Sequence, residues 1–352
     1  MIDDSLLLSF LKTAKKVLLV EPDYKRKYPP LGLMKISNYI KLNGGEIIFR
    51  RTPIKTDCDL ICVSTLFTYD LEITINTIKT LALVNPTVPI LVGGIAATVK
   101  SKKLKVAKNI HLFKGFSHFL DSITPDYSQD FQILPKWREW SFLFTTRGCP
   151  NSCGYCFVPK IEKGLSVINN WQAHFDLRKK FAMILDNNMT AFGVDHVKSV
   201  AKFLSDNKIK TCLDNAIDCK YLTKDMCDTL SGMPIVKRGI RTAFDRISED
   251  GVFQKSIEQL IKSKISKYNI MAYVLYNYKD TPKEANYRAV ECVKLGIAPY
   301  PARYKPIQSE TRASRYTSPL WTDRLAIAFN HFWLMAGLYR KYSFEEYAKG
   351  IG

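Results

Sequence analysis

Long apolar runs are missing from this 352-residue sequence. None approaches the about 20 residues that a membrane-crossing helix needs, which argues against a membrane span. The opening residues Met1-Ile2-Asp3-Asp4 are acidic and lack the basic segment and small-residue cleavage site of a signal peptide. The expected compartment is therefore the cytoplasm. Acidic residues are in deficit, 33 against 52 lysines and arginines, for a formal net charge of +19. Division at residue 128 leaves +7 before it and +12 after it, so the excess is no detachable tail. Such a spread excess marks either a preference for polyanions, nucleic acid first among them, or a lysine-rich soluble surface.

The hydrophobic content of 46% with 24% charged residues belongs to a globular chain, and the length accommodates two domains. Nine cysteines are an odd number in a chain that is neither short nor secreted in character, which points to reduced thiols. Three of them form the densest chemistry in the sequence: Arg147-Gly148-Cys149-Pro150-Asn151-Ser152-Cys153-Gly154-Tyr155-Cys156-Phe157. The spacing is C-x3-C-x2-C, directly after the apolar run 142–146, which reads as a strand. Thiolates are soft ligands suited to iron–sulfur clusters, which usually take four. With only three close together, a four-iron cluster keeps one iron open. The pair Cys153 and Cys156 alone would equally suit zinc or redox chemistry. The whole motif resembles the cluster loop of the radical S-adenosylmethionine (radical SAM) enzymes. That resemblance implies a 4Fe-4S cluster on Cys149, Cys153 and Cys156, with S-adenosylmethionine on the fourth iron and Tyr155 beside its adenine. The alternatives are a structural zinc site or unligated core cysteines.

Before the motif, apolar runs at 16–20, 46–49, 60–64, 89–92 and 111–114 read as strands, and 33–42 and 70–83 as helices. Strands alternating with helices give an α/β fold with a parallel, doubly wound sheet, whose ligands sit beyond the carboxyl ends of the strands. Ser64 and the pair Gly93-Gly94 stand at two such ends, where a hydroxyl donates and glycines admit a close ligand. Together with Tyr28-Pro29-Pro30-Leu31-Gly32, they resemble the Rossmann-like cobalamin-binding domain that precedes many radical SAM domains. The family's D-x-H-x-x-G loop is absent, since Glu21-Pro22-Asp23-Tyr24 carries no histidine. The domain then holds cobalamin without an imidazole ligand, or it is a relic.

After the motif, strands near Phe181, Lys210, Arg238, Asn269 and Pro299 alternate with helical stretches such as 197–204 and 257–262. With the strand before the cysteines they make six, as in the (β/α)6 partial TIM barrel that the resemblance implies. Domain limits are expected at 1–128, 129–310 and 311–352, the last a helical segment packed on the barrel. Barrel chemistry gathers at the carboxyl ends of the strands. There Asp186-Asn187-Asn188 is either an Asx turn or, by resemblance, the contact for the methionine amine, with Asp186 and Asn188 as its residues. Arg241 inside an apolar strand needs an anion: the cofactor carboxylate, or an internal partner, Asp218 or Asp245. Asn277 is a candidate ribose contact and Arg303 a candidate for an anionic substrate.

The other cysteines, Cys58, Cys62, Cys212, Cys219, Cys227 and Cys292, read as small buried hydrophobes. Near the end, 300–306 and 312–316 interleave bases with aromatics, either to bind nucleic acid or as a loop over the barrel mouth. The stretch 321–342 reads as one apolar-rich helix, and Ser343 as the cap of a final turn.

The resemblance implies reductive cleavage of S-adenosylmethionine to a 5′-deoxyadenosyl radical that activates an unreactive C–H bond, with methyl transfer if cobalamin binds. The electron would come from a flavodoxin or ferredoxin. The substrate is a small molecule or peptide or, given the charge, a nucleic acid. Three further cluster cysteines and a C-terminal RNA-binding domain, as in methylthiotransferases, are missing. The remaining alternative is a non-catalytic nucleic-acid-binding protein with a structural metal.

Overall fold

The run Lys16–Val20 (β1) is buried at four of its five residues, so it must pair on both edges and pack on both faces. In the computed structural model, which describes residues 4–307, 309 and 316–350, it does so. Its neighbours are Glu46–Arg50 (β2) and Leu60–Ser64 (β3), followed by Ile90–Gly93 (β4) and Ile110–Leu112 (β5). All pairs are parallel and the order is β2-β1-β3-β4-β5. Helices Leu31–Leu42 and Leu71–Val84 cover the sheet with Leu33, Ile36 and Ile40, and with Leu71, Ile78 and Leu81. A helix at Ser5–Leu11, not expected from the sequence, buries Leu7 and Leu11 in the same core.

The second sheet is built from Trp140–Leu143 (β6), Phe181–Ile184 (β9), Lys210–Ile217 (β10), Ile235–Ala243 (β11), Ile270–Tyr276 (β12) and Ala298–Arg303 (β13). These six strands are parallel and lie in chain order, so each crossover returns to the next strand. Helices Val194–Asp206, Lys224–Ser231, Val252–Lys262 and Pro282–Lys294 make the crossovers. Val197, Val200, Ala201 and Leu204 of the first are buried at helical spacing, a stripe facing the sheet. The chain is thus α/β with two parallel sheets, of five and six strands. No helix among the described residues is long and apolar enough to cross a membrane.

Three expectations are corrected. The strand at 142–146 is two strands, β6 and Thr146–Arg147 (β7), because the amide of Thr145 donates to the Asp186 carboxylate (2.6 Å) instead of continuing a ladder. The helix at 321–342 runs only from Asp323 to Leu334; Met335 is extended and a short turn, Ala336–Tyr339, follows. The break at Met335 lets Tyr339 stack on Trp333 at 5.3 Å. Residues 300–303 belong to β13 and not to a loop, while the basic segment 312–315 lies outside the described residues. Ser343 caps the last helix as expected, its hydroxyl accepting from the amide of Glu346.

Helix ends show where the chain accepts local strain. Helices Leu31–Leu42 and Pro282–Lys294 close with Gly44 and Gly296 at φ +73° and +77°, the left-handed position that glycine occupies at no steric cost. Helices Val194–Asp206 and Val252–Lys262 close with the same paired hydrogen bonds, but there Lys208 and Lys264 stand at φ +54° and +67°. Replacing Lys264 by glycine should stabilise the fold by about 1 kcal/mol, read as a higher urea midpoint at unchanged slope.

Candidate functional site

Arg147, its side chain 13% exposed, lies where the first sheet meets the cysteine loop. Its Nη2 donates to Asp121 (2.8 Å) and its Nη1 to Glu162 (3.0 Å), while its plane lies over Phe144 at 3.6 Å. Asp121 also receives Lys35, from the helix Leu31–Leu42, at 3.2 Å. Glu162 accepts from the amide of Gly148 (2.7 Å) and from Asn187 (2.7 Å), so one carboxylate joins the loop to the end of β9. Gly148 sits at φ +90°, and a Cβ there would lie 1.8 Å from the carbonyl oxygen of Gly164. No other residue fits. β7 and Ser166–Val167 (β8) close the base of the loop as a short antiparallel ladder.

The loop held this way presents Cys149, Cys153 and Cys156 to one cavity of about 400 Å³ beyond the carboxyl ends of β9, β10 and β11. The amide of Cys156 donates to the carbonyl of Cys153 (2.9 Å), which turns the loop between them. Burial pushes the Cys156 thiol up. Asn188 also lines the cavity, with its amide nitrogen 3.7 Å from the Cys149 sulfur and 3.4 Å from Asp218. Asp218 accepts from Asn151 (2.7 Å), and Lys220 donates to that asparagine's oxygen (2.6 Å). Tyr155 is on the cavity wall with its hydroxyl donating to Asp245 (2.8 Å) and its ring edge-on to Tyr278. Asp245, which also accepts from the amide of Leu275, is pushed up to about 6 by burial. The remaining acid on the wall, Glu249, pairs with Arg246 at 2.9 Å.

Several expected site residues are elsewhere. Asp186 does not face the cavity: its carboxylate accepts the amides and hydroxyls of Thr145 and Thr146, and burial raises its pKa. It steadies the strand that leads into the cysteines. Arg241 pairs with Asp214, not with Asp218 or Asp245, and lies near Tyr273 and Cys212 away from the cavity wall. Its Nε is buried without a partner among the described residues. Asn277 is fully buried at φ +65°, accepting from the amide of Ser318 (2.8 Å) and donating to the carbonyl of Tyr316 (3.0 Å), so it fastens the segment after β13. Arg303 is consumed by Asp323 (2.7 Å) and the Tyr316 carbonyl (3.1 Å). Cys219 is only half-buried and lines the cavity; its thiol meets the Thr242 hydroxyl at 3.0 Å, which itself donates to the Ile217 carbonyl (2.9 Å). Cys219 therefore donates its proton, and burial pushes its thiol up to about 12. The other five cysteines are buried.

Asp218, Asp245, Cys219 and Lys220 carry the polar wall but had no site role in the sequence reading. Their signal was present: each lies just past the carboxyl end of β10 or β11.

Ser64, Gly93 and Gly94 line a separate cavity of about 220 Å³ with Phe113, Lys35 and Arg147. Gly94 serves packing: at φ +103° its Cβ would meet the Thr65 carbonyl at 2.6 Å. The space falls below the about 300 Å³ at which pockets for drug-sized ligands begin, and a corrinoid is larger still. No histidine lines this cavity, so a cobalt ion there would have no imidazole ligand from its wall. For the cysteine cavity the donor set does fit a cluster: three thiols of one loop, with the Asn188 amide directed at one sulfur. Among the described residues no three thiol, carboxylate or imidazole groups converge on a single point as ligands of one ion do. Thiolates of a cluster sit on different irons and are spaced more widely.

Removal of Arg147 leaves Glu162 buried without a cation among the described residues and Asp121 with Lys35 alone. Arg147→Ala should cost about 3 kcal/mol, measured by urea unfolding. His174, buried near Lys35 and Arg147, is held down to about 4 by burial and their positive charge. The unfolded chain takes up this proton below about pH 6.5 and the folded one does not. Stability should fall as pH drops from 6.5 to 4, and His174→Gln should flatten that slope. Lys35 is lowered to about 8 by burial, ahead of the opposing pull of Asp121. No protein-family model matches the chain, and no curated protein matches it.

Proposed function

We propose that this chain is a radical SAM enzyme, with Cys149, Cys153 and Cys156 holding a 4Fe-4S cluster whose fourth iron takes S-adenosylmethionine. The observation that carries the reading is the cavity shared by three thiols within the eight residues Cys149 to Cys156, at the carboxyl ends of parallel strands. In this reading residues 129–310 are the partial barrel and residues 1–128 a Rossmann-like domain that has lost its cobalamin role. When bound, the cluster supplies one-electron reduction of the sulfonium, with the electron drawn from a flavodoxin or ferredoxin, and so generates a radical able to take hydrogen from carbon.

The chain's own part is binding, orientation and exclusion of water. Asp218, Asp245 and Glu249 set three carboxylates on the wall against the two cations Lys220 and Arg246. That balance suits a ligand carrying a sulfonium and an ammonium against one carboxylate. Asn188 steadies the Cys149 thiolate through its amide. The Tyr155 hydroxyl holds Asp245, fixing the ring at the cavity edge where an adenine can lie against it. Gly154 leaves room for Tyr278, whose hydroxyl would be 2.7 Å from any Cβ there.

Anaerobic reconstitution with iron and sulfide should give the visible absorbance of a four-iron cluster and cleavage of S-adenosylmethionine to 5′-deoxyadenosine. Cys156→Ala should lose both, and full activity in that variant would reject the ligand assignment. Asp218→Asn should keep the absorbance and weaken S-adenosylmethionine binding by about tenfold, a loss of about 1.4 kcal/mol, measured by equilibrium dialysis.

A further inference from the structure

The amino ends of the second sheet's strands, opposite the cysteine cavity, carry basic residues strand after strand. Lys180 precedes β9, Lys208 and Lys210 open β10, Lys237 and Arg238 protrude from β11, and Lys264 and Lys267 precede β12; all are exposed. The parallel register brings these ends side by side, neighbouring strands being about 5 Å apart. Acidic residues on the same rim, Glu139, Asp176, Asp206 and Asp228, each already face a cation: Lys180, Arg178, Lys202 and Lys224.

The backbone is bent to make this surface. Between the pairs Thr211↔Ile235 and Leu213↔Ile240, β11 carries three more residues than β10. Arg238 stands at φ +55° in this bulge, and a Cβ on Gly239 would meet the carbonyls of Val236 and Thr211 at 2.7 and 2.9 Å. Lys208 and Lys264 hold the left-handed helix-end positions that glycine fills elsewhere in the chain. Three basic side chains on one face thus occupy backbone that disfavours any side chain.

The bulge opens a cavity of about 290 Å³ lined by Lys237, Arg238, Lys267 and Arg340 with Tyr268 and Tyr339, and by no carboxylate. None of these four cations makes an ion pair among the described residues. Tyr268 is 76% exposed, an aromatic face left to solvent between cations. Cations that follow a backbone and an open ring on which a base stacks are the chemistry of single-strand recognition. We infer that this end of the sheet binds single-stranded nucleic acid, its phosphates on the lysine row and a base against Tyr268. The contact is remote from the cysteine cavity, so it holds a strand and does not deliver the reacting atom. It does not depend on the iron–sulfur reading.

The test is fluorescence anisotropy of the full chain with a labelled 15-nucleotide single strand of mixed sequence, as RNA and as DNA. Binding should weaken steeply between 50 and 200 mM salt, with a slope of about 0.7 per phosphate contact. The triple variant Lys237→Glu, Arg238→Glu, Lys267→Glu should lose at least tenfold in affinity and show a shallower slope. The same three reversals at Lys102, Lys105 and Lys108, on the first sheet's side, should leave affinity within twofold. Tyr268→Ala should weaken binding without altering the salt slope. Lys264→Gly should raise Tm while weakening binding, a split that a purely structural lysine would not give. No binding by the unaltered chain at 50 mM salt would overturn the inference. So would equal losses from the two triple variants, or losses seen only with phosphatidylserine vesicles and not with the strand.

Discussion

The mostly enclosed guanidinium of Arg147 is the interaction on which the site's geometry depends. A cation out of water is stable only against carboxylates that approach it well. Here one comes from each side: Asp121 from the segment after the first sheet, and Glu162 from beyond the cysteines. Lys35 adds a second cation to Asp121, and Gly148 and Asn187 share Glu162. The loop is therefore tied to the first sheet's helix and to the end of β9 through a single charged chain. Arg147 adjoins Gly148, whose positive φ and contact with Gly164 start the turn toward Cys149.

A second support comes from Asp186, which spends its carboxylate on Thr145 and Thr146 just ahead of Arg147. Buried and fully bonded, it stops the strand after Leu143 and lets β7 turn into its ladder with β8. The cavity wall is then completed by residues just past the strands, where Asp218 and Asp245 meet the loop through Asn151 and Tyr155. Scaffold and site are separated by one or two residues of strand. Asp186 faces back into the fold, and Asn187 and Asn188 line the cysteine cavity.

The strands were the most legible part of the sequence. A strand buried on both faces must be apolar without interruption, and β1, β3 and β4 are written so. The spacing of Cys149, Cys153 and Cys156 marked them as a group, and they do line one cavity. Residue types at strand ends were legible too, but side-chain direction was not. Arg241 called for an anion, a cofactor carboxylate or an internal Asp218 or Asp245; the internal partner is instead Asp214. Asn277 and Arg303 looked free for ligands because their partners, Ser318, Tyr316 and Asp323, are distant in sequence. The Gly93-Gly94 pair read as room for a ligand, whereas Gly94 makes room for Thr65. In each case a long-range contact decided, and no local pattern encodes it.

The central claim is that three thiols hold a cluster with one iron open to S-adenosylmethionine. Its most direct test is the electron paramagnetic resonance spectrum of the reconstituted, reduced protein, recorded without and with S-adenosylmethionine. The account predicts a reduced-cluster signal whose g-values shift when S-adenosylmethionine is added, because the ligand changes the coordination of one iron. A cluster signal that stays unchanged, or no cluster signal after full reconstitution, would contradict it.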